Sequence, residues 1–315
     1  MRSNAIRAPI SRRDIENVDG TIQFDISDEL SCRYDLASQA LWTQMTPKGI
    51  PCFSPTLLHD MERGSQIIES YFSPQNSEQP LAYLVLQSGV PRVFNLGGDF
   101  GNFLNFIHAQ DKAALTEYAR TAINVVYRNY ASHNLRGVTT IALLEGDALG
   151  GGLECAVSCD IVIAERQVKC GFPEVLFDMF PGMGALSFLS RRCSRRVVQE
   201  LTRSGRQFSA EELLDMGVID VVAELGAGKA TVHQLIKRRQ SQVHAHNAMN
   251  SVDRMLHPVT LQELYDIVGL WVNAAMTLSS RGQEWMSRLH MQQLKAFGLM
   301  SGQSTAVIRS ISSIA

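Results

Sequence analysis

The chain lacks the features that identify a membrane protein or a nucleic-acid-binding protein. Its formal net charge is only -2, from 29 basic and 31 acidic residues, so it has neither the basic excess of a nucleic-acid surface nor a polybasic membrane anchor. Its apolar runs all stay well short of the roughly 20 residues that a membrane-spanning helix needs. We therefore expect no nucleic acid and no membrane insertion, and a small molecule or a discrete protein as the ligand.

The chain also lacks the cysteine and histidine spacings of metal sites and disulfide frameworks. Its six cysteines include no CxxC pair, and a chain of this size does not need a disulfide framework. His244 and His246 are the only close histidine pair, and no acidic residue or cysteine stands at metal-ligand spacing around them. The sequence therefore predicts that the protein binds no metal. We expect the histidines to be solvated or to cap helices, and the protein to be cytoplasmic.

The two ends of the chain show no periodic apolar pattern. The first twenty residues are polar and lack the apolar stretch of a secretory signal, which predicts a disordered leader over 1–20. The last residues, GQSTAVIRSISSIA, match no pattern either. We expect a flexible tail over 301–315.

Short apolar runs alternate with helical segments from about residue 80 to residue 224. The runs are LAYLVLQS, TTIALLEG, DIVIAE and GVIDVVAE, and they are typical of buried parallel strands. This alternation indicates repeated βα units and an α/β core over 21–224. A single helical stripe follows, formed by Leu261, Leu264, Tyr265, Val268, Val272 and Ala275. It predicts a helical region over 225–300 that packs on the core, on another subunit, or on both.

Glycine clusters follow two of the predicted strands. They are FNLGGDFG at 94–101 and ALGGGLE at 148–154. One interpretation is a strand-to-helix turn that needs the positive φ of glycine. Another is that backbone N–H groups face an anion or a polarised carbonyl, so that the two clusters form an oxyanion hole. A dinucleotide site is disfavoured, because the spacing is not GxGxxG in a βαβ unit.

Two glutamates flank this region. Glu154 stands in the first turn of a predicted helix, where a carboxylate is often only a partner of the helix dipole. Glu174 stands among apolar residues, where a carboxyl group is either paired or shifted in pKa. If both share a dry pocket they repel, and one of them holds its proton near neutral pH, as acid–base chemistry requires.

The segments ALGGGLE, CDIVIAE, GFPEV and FPGMGA resemble the crotonase (enoyl-CoA hydratase/isomerase) superfamily. FNLGGD together with GFPEVLFDMFPGMGA closely resembles its diffusible signal factor synthase branch. The resemblance implies a ββα spiral core and a C-terminal helical region that mediates trimer formation. It also implies that Gly98 and Gly151 supply the oxyanion hole and that Glu154 and Glu174 form the acid–base pair.

Synthases of this branch dehydrate a 3-hydroxyacyl chain on acyl carrier protein to the cis-2-enoyl thioester, and then hydrolyse it to a free fatty acid. By this resemblance we expect Glu174 to remove the α-proton, and Glu154 to protonate the departing hydroxyl and then to activate water. No cofactor is expected beyond the acyl carrier protein or coenzyme A that carries the substrate. The expected partners are acyl carrier protein, a membrane sensor kinase, and further copies of the chain in a homotrimer or a dimer of trimers.

Chain-length selectivity needs an apolar cavity, since each buried methylene contributes about 0.8 kcal/mol. For most apolar residues an ordinary core position is the alternative, and Trp271 fits both interpretations equally well. The candidate lining residues are Phe172, Leu176, Met179, Met183, Leu186, Trp271 and Met276.

Two further features bear on the substrate carrier. Gly101 stands where hydratases of fatty-acid breakdown often have a lysine, which favours carrier protein over coenzyme A. The basic run SRRCSRR at 190–196 is either a solvated helix face or a docking site for an acidic carrier protein. Two other functions stay open: an ordinary hydratase or isomerase of coenzyme A thioesters, and a binding protein for a sensor kinase that has lost its chemistry.

Overall fold

The computed structural model describes residues 16–18, 21–73 and 79–299. The strands in these ranges are β1 (Glu16–Val18), β2 (Thr21–Ser27), β3 (Leu30–Asp35), β4 (Ala40–Met45), β5 (Tyr83–Ser88), β6 (Val93–Asn95), β7 (Thr139–Leu144), β8 (Asp147–Leu149), β9 (Ile161–Glu165), β10 (Lys169–Gly171), β11 (Gln207–Ser209) and β12 (Val221–Ala223).

Helices separate the strands and fill the C-terminal part. They are α1 (Pro55–Tyr71), α2 (Phe100–His108), α3 (Lys112–Tyr130), α4 (Gly151–Val157), α5 (Ala185–Arg192), α6 (Arg195–Arg203), α7 (Ala210–Asp215), α8 (Gly228–Arg239), α9 (Val243–Leu256), α10 (Leu261–Met276) and α11 (Ser280–Ala296). Short 3₁₀ turns occur at Ser132–Asn134, Glu174–Phe177 and Gln240–Gln242.

The larger sheet has the order β1-β2-β3-β4-β5-β7-β9-β12. Strands β1 to β4 are antiparallel neighbours, whereas β4, β5, β7, β9 and β12 run parallel. Strands β5, β7 and β9 are buried along almost their whole length, because helices and the second sheet cover both faces. This explains why they are nearly continuous apolar runs in the sequence.

The second sheet has the order β11-β10-β8-β6. Strand β6 follows β5, β8 follows β7 and β10 follows β9, and a helix or 3₁₀ turn comes after each pair. This is the repeated ββα unit of a spiral core. Since β6 and β8 run parallel with Asn95 opposite Ala148, the two glycine clusters that follow these strands lie side by side.

The C-terminal helices pack on the core of the same chain. Helix α10 contacts α3, and α11 contacts both α2 and the 3₁₀ turn at Glu174–Phe177. Leu264, Val268 and Val272 of the predicted stripe are buried on α10. None of the helices in the described ranges has both the length and the apolarity that crossing a membrane requires.

The predicted α/β class with its crotonase-like spiral core is confirmed. The expected start of the core at residue 21 needs correction, because β1 (Glu16–Val18) pairs with β2 and belongs to the larger sheet. The remainder of the predicted leader over 1–20, and the predicted tail over 301–315, lie outside the described residues.

Candidate active site

Glu154 is an interior carboxyl group held at the start of another helix. It lies in the first turn of α4 and is 2% exposed. Its Oε2 accepts a hydrogen bond of 2.8 Å from the backbone N–H of Ala185, which is the first residue of α5. The unpaired N–H groups at a helix start favour a negative charge there. This contact therefore favours the carboxylate form of Glu154, against the opposing effect of burial.

Glu174 opens the 3₁₀ turn at Glu174–Phe177 and faces the glycine cluster that precedes α4. Its Oε1 lies 2.4 Å from the position that a β-carbon on Gly150 would take. Its Oε2 is buried and has no hydrogen-bond partner among the described residues. A buried oxygen without a donor favours the neutral carboxylic acid over the carboxylate.

Burial raises the pKa values of both carboxyl groups. Burial raises the pKa of Glu154 to about 7, against the lowering effect of backbone N–H groups such as that of Ala185. Burial and the negative charge of Glu154 raise the pKa of Glu174 well above its usual value. Glu174 therefore holds its proton more firmly than Glu154 does, and Glu154 is the first of the pair to ionise. The sequence-based roles assign the proton to Glu154 at the start of the reaction.

Two glycine N–H groups are available beside this pair. In the loop after β6, the N–H of Gly97 donates to Asn95 Oδ1 at 2.8 Å and that of Asp99 donates to Tyr118 Oη at 3.3 Å. The N–H of Gly98, between them, has no partner among the described residues. Gly151 is the first residue of α4, so its N–H has no partner within the helix. Both glycines line one cavity with the two glutamates.

The hydroxyl of Tyr118 fixes the loop that contains Gly98, and sequence reasoning missed it. This buried side chain on α3 accepts from Asp99 N–H and donates to the carbonyl oxygen of Phe53. The N–H of Phe53 in turn donates to the carbonyl of Gly97 at 2.7 Å. Tyr118 also lines the cavity. A tyrosine in a helical stretch carries no local signal for this role.

The cavity has a volume of about 60 Å³. Its walls come from the glycine loops, the two glutamates and helices α2, α3, α10 and α11. The apolar lining residues are Leu96, Phe100, Phe103, Ala119, Ala122, Pro173, Phe177, Met183, Val268, Trp271 and Met286. A carbonyl group bound between the glycines would thus have a mainly apolar environment for the attached chain.

Met183 and Trp271, two of the predicted acyl-chain residues, line this cavity. The other five predicted residues do not, and their assignment to the lining needs correction. Phe172 and Met179 are buried in the core, Leu186 and Met276 are partly buried against it, and Leu176 is 41% exposed. These residues lie close in sequence to lining residues but on other sides of their turns and helices.

Several lining residues were not predicted. Phe100 and Phe103 follow the first glycine cluster at the start of α2, and this proximity is a signal that could have indicated them. Val268 belongs to the predicted stripe on α10. Met286 lies on α11 and reaches the cavity only because α11 packs on α2, a contact that no local pattern indicates.

The arginines of the basic run at 190–196 differ in whether they are paired within the fold or exposed. Arg191 forms two hydrogen bonds with Glu263, of 2.7 and 2.8 Å. Arg192 donates to the carbonyl of Asp160 at 3.0 Å and to Asp220 at 3.3 Å. Only Arg195 and Arg196 in this run are exposed arginines. The first two arginines therefore hold α5 to its neighbours and are not free for docking.

Comparison with known proteins identifies the family. The family model described as enoyl-CoA hydratase/isomerase matches residues 64–287. Probable enoyl-CoA hydratase 2, mitochondrial, of Arabidopsis thaliana is 28% identical over 159 residues, which are 50% of this chain and 50% of that protein. Mitochondrial methylglutaconyl-CoA hydratase of Mus musculus is 32% identical over 148 residues, 47% of this chain and 45% of that protein. The chain thus spans about half the length of these curated relatives.

Solved structures show the same fold. The enoyl-CoA hydratase from Bacillus halodurans matches 83% of this chain and 100% of its own chain, with a TM-score of 0.68 and 21% sequence identity. At this identity the likeness concerns the fold alone. The family match covers well over half of the residues, and the chain belongs to the enoyl-CoA hydratase/isomerase family of the crotonase superfamily.

Proposed function

We propose that the protein dehydrates a 3-hydroxyacyl thioester to the cis-2-enoyl thioester and then hydrolyses the thioester, releasing a cis-2-unsaturated medium-chain fatty acid that serves as a signal. The observation that carries this proposal is the glutamate pair, since Glu154 and Glu174 line one mainly apolar cavity and burial raises the pKa of both. Gly98 and Gly151 line the same cavity. Acid–base groups beside an oxyanion hole suit acyl thioester chemistry.

The dehydration step transfers two protons, one from the substrate to Glu174 and one from Glu154 to the leaving hydroxyl. Glu174, as the carboxylate, takes the α-proton, and the negative charge that develops on the thioester oxygen is stabilised by the N–H groups of Gly98 and Gly151. The C–O bond of the 3-hydroxyl breaks as Glu154, in its acid form, protonates the leaving oxygen to water. The step leaves Glu154 as the carboxylate and Glu174 as the acid.

The hydrolysis step starts from the proton arrangement that dehydration leaves. It is also the arrangement that the unliganded site favours, because the Ala185 N–H stabilises the Glu154 carboxylate. Glu154 takes a proton from water as the water oxygen attacks the carbonyl carbon. Glu174 gives its proton to the departing thiolate as the C–S bond breaks. Both groups then have the protonation with which dehydration began.

The resting arrangement of the proton also suits the addition of water to an enoyl thioester. Glu154 would activate the water, and Glu174 would protonate the α-carbon. This observation supports an ordinary enoyl-CoA hydratase as the second candidate. The two candidates differ in one product, because only the first releases a free acid.

Carrier protein is the proposed substrate carrier. The ring of His290 lies 2.9 Å from the position that a β-carbon on Gly101 would take, so a lysine at position 101 would collide with α11. A coenzyme A contact from this position is therefore disfavoured. Arg195 and Arg196 are exposed at the start of α6 and suit an acidic partner surface.

Mass spectrometry of the products tests the reaction. Wild type, Glu154→Gln and Glu174→Gln would each be incubated with 3-hydroxyacyl thioesters of carrier protein and of coenzyme A, and enoyl thioester and free acid measured separately. We expect free acid from the wild type, and a roughly 10²- to 10⁴-fold loss of dehydration in each variant. Glu145→Gln is the control, because burial also raises the pKa of Glu145 but this residue does not line the cavity.

Each alternative has its own outcome in this experiment. Enoyl thioester without free acid supports the ordinary hydratase and contradicts the hydrolysis step. No turnover of any thioester supports a binding protein without chemistry. Full activity in either glutamine variant removes that glutamate from the mechanism.

A trimer or a dimer of trimers is part of the proposal. Helix α9 exposes Met249, Val252, Met255 and Leu256, which are 52–79% exposed and lie at helical spacing on one face. An apolar stripe of this kind suits a contact with another copy. Light scattering on wild type and on Val252→Glu/Met255→Glu tests this, with the wild type expected as a trimer or hexamer and the variant as a smaller species. A monomeric wild type would contradict it.

A further inference from the structure

A second cleft lies beside α8, at the end of the larger sheet where β4 and β5 begin. Its volume is about 680 Å³, which is in the usual range for small-molecule sites. It shares no lining residue with the catalytic cavity. The catalytic cavity is built from the loops after β6 and β8, so the two sites are separate.

Two buried hydrogen-bond donors without partners lie on the neighbouring strands β4 and β5, and one of them lines this cleft. Tyr83 lines it and is 2% exposed, and its hydroxyl has no partner among the described residues. Trp42, on the adjacent strand and also 2% exposed, has an unpartnered indole N–H. An indole nitrogen can only donate. A ligand that satisfies this part of the protein therefore has to bring a hydrogen-bond acceptor.

The charges around Tyr83 favour an anion. Lys237 lines the cleft, and the positive charge of Arg239 acts on the Tyr83 hydroxyl. His233 also lines the cleft, with its ring centroid 5.1 Å from that of Trp42. Lys237 and Arg239 attract a negative charge to the Tyr83 hydroxyl.

One carboxylate in the cleft limits the charge of that anion. Asp35 lines the opposite side, where the Ser38 hydroxyl and the Ala37 N–H donate to it at 2.6 and 3.0 Å. It is thereby held as a fixed negative charge, which repels a doubly charged phosphate more than a single carboxylate. The lining also includes the apolar residues Pro80, Ala82, Ile236 and Val243, which suit contact with a hydrocarbon chain.

We propose that this cleft binds an amphipathic carboxylate, a medium-chain fatty acid, as a second site remote from the catalytic cavity. The carboxylate accepts from the Tyr83 hydroxyl and the Lys237 ammonium group, and the chain lies against Ile236 and Val243. A fatty acid is also the class of product that the proposed reaction releases, but binding at the cleft requires no turnover. Fatty-acid binding at the cleft can therefore be tested separately from the proposed reaction.

Calorimetric titration with decanoate tests the site. The catalytic cavity is filled by Ala122→Phe, so that only binding elsewhere remains. In that background we expect decanoate to bind, and Lys237→Met and Tyr83→Phe each to weaken binding roughly tenfold or more, because each removes a donor to a charged group. Arg238→Met is the matched control, since Arg238 is an exposed cation on the same helix and does not line the cleft. It should leave the affinity unchanged.

Two further measurements separate ligand binding from a structural role. Tyr83→Phe removes a hydroxyl without a partner, so the unliganded variant should be as thermally stable as wild type while its stabilisation by decanoate is reduced. Lys237→Met should leave the turnover of thioester substrates unchanged. Decylamine and decyl phosphate, with the same chain and other charges, should bind at least tenfold more weakly than decanoate.

Several results would overturn the proposal. These are loss of all decanoate binding in Ala122→Phe, equal affinity for decyl phosphate or decylamine, and an affinity that Lys237→Met does not change. If Ala122→Phe does not fold, crystals of the wild type with a bromine-labelled decanoate locate the acid directly. Bromine in the catalytic cavity alone, or none at the cleft, would also contradict the site.

Discussion

The carboxyl group of Glu174 occupies space beside Gly150 that any other residue at position 150 would fill. Glu174 Oε1 is 2.4 Å from the position of a β-carbon on Gly150, and Gly150 has a φ of +51°. Glycine is thus required here for two reasons, the backbone conformation and the approach of the carboxyl group. The turn that starts α4 positions both carboxyl groups, since Glu154 lies on α4 and Glu174 packs on the turn.

Gly150→Ala should therefore inactivate the enzyme more than it destabilises the fold. The strain of a positive φ costs about 1–3 kcal/mol, whereas the methyl group displaces Glu174 and should lower kcat roughly 100-fold or more. Gly217→Ala is the matched control, because Gly217 has a φ of +74° with nothing within 4 Å of an added β-carbon. It should lose comparable stability in urea unfolding and keep its kcat. Equal kcat in both variants would contradict this account.

The free energy of unfolding should fall with pH because of the glutamate pair. Burial raises the pKa of Glu154 from 4.5 to about 7 and that of Glu174 further. The folded protein then holds protons that the unfolded chain has lost above pH 4.5. This stabilisation is fully present below pH 4.5 and is lost as the pH rises through about 7 and above.

Urea unfolding between about pH 5 and pH 8 measures this effect. The wild type should lose more stability over this range than Glu154→Gln/Glu174→Gln, by an amount on the order of a few kcal/mol. The difference between the two proteins cancels the contributions of other titrating groups, provided that these are unaffected by the substitutions. Parallel pH profiles of stability would show that the carboxyl pair is not shifted.

That the two glutamates and two glycines lie together could be predicted from sequence, because short local segments place them. Gly151 and Glu154 lie on one turn of chain, and the parallel pairing of β6 with β8 brings Gly98 beside them. Repeated βα units already imply parallel strands whose ends, and the loops after them, lie side by side. The distribution of the proton was not predictable, since it depends on the N–H of Ala185, which lies 31 residues from Glu154 in the chain.

The acyl-chain lining was predicted poorly for a different reason. Leu176 is two residues from Glu174 and yet is 41% exposed, whereas Met286 is far away in sequence and lines the cavity. Which side of a turn or helix faces the cavity depends on the packing of α10 on α3 and of α11 on α2. Apolar periodicity identifies the buried side of a helix but not which buried residues face a cavity.

Tyr118→Phe should lower kcat through the oxyanion loop. It removes the hydroxyl that joins Asp99 N–H to the carbonyl of Phe53, so the loop that carries Gly98 loses its anchor. We expect kcat to fall roughly 10- to 100-fold with little change in KM, because the oxyanion donors act mainly in the transition state. Unfolding in urea should show a loss of about 1–3 kcal/mol from the two unpaired groups.

Tyr130→Phe is the control for Tyr118→Phe. The Tyr130 hydroxyl accepts a hydrogen bond of 3.0 Å from the N–H of Val259 and does not line the cavity. This variant should lose stability without losing kcat. An unchanged kcat in Tyr118→Phe, or an equal fall in both variants, would mean that Tyr118 has only a structural role.

Trp271→Leu should shift the preferred substrate toward longer acyl chains. Trp271 lines the cavity, and its ring centroid lies 5.2 Å from that of Phe103. Its Cδ1 also packs against Gly182, at 2.3 Å from the position that a β-carbon on this glycine would take. A smaller side chain leaves room for further methylenes, each worth about 0.8 kcal/mol, or roughly a fourfold gain in kcat/KM. Measuring kcat/KM across a series of 3-hydroxyacyl thioesters shows the shift. Trp285→Leu is the control, because Trp285 is 36% exposed and outside the cavity; the same shift in both variants, or none in Trp271→Leu, would show that this tryptophan does not set the chain length.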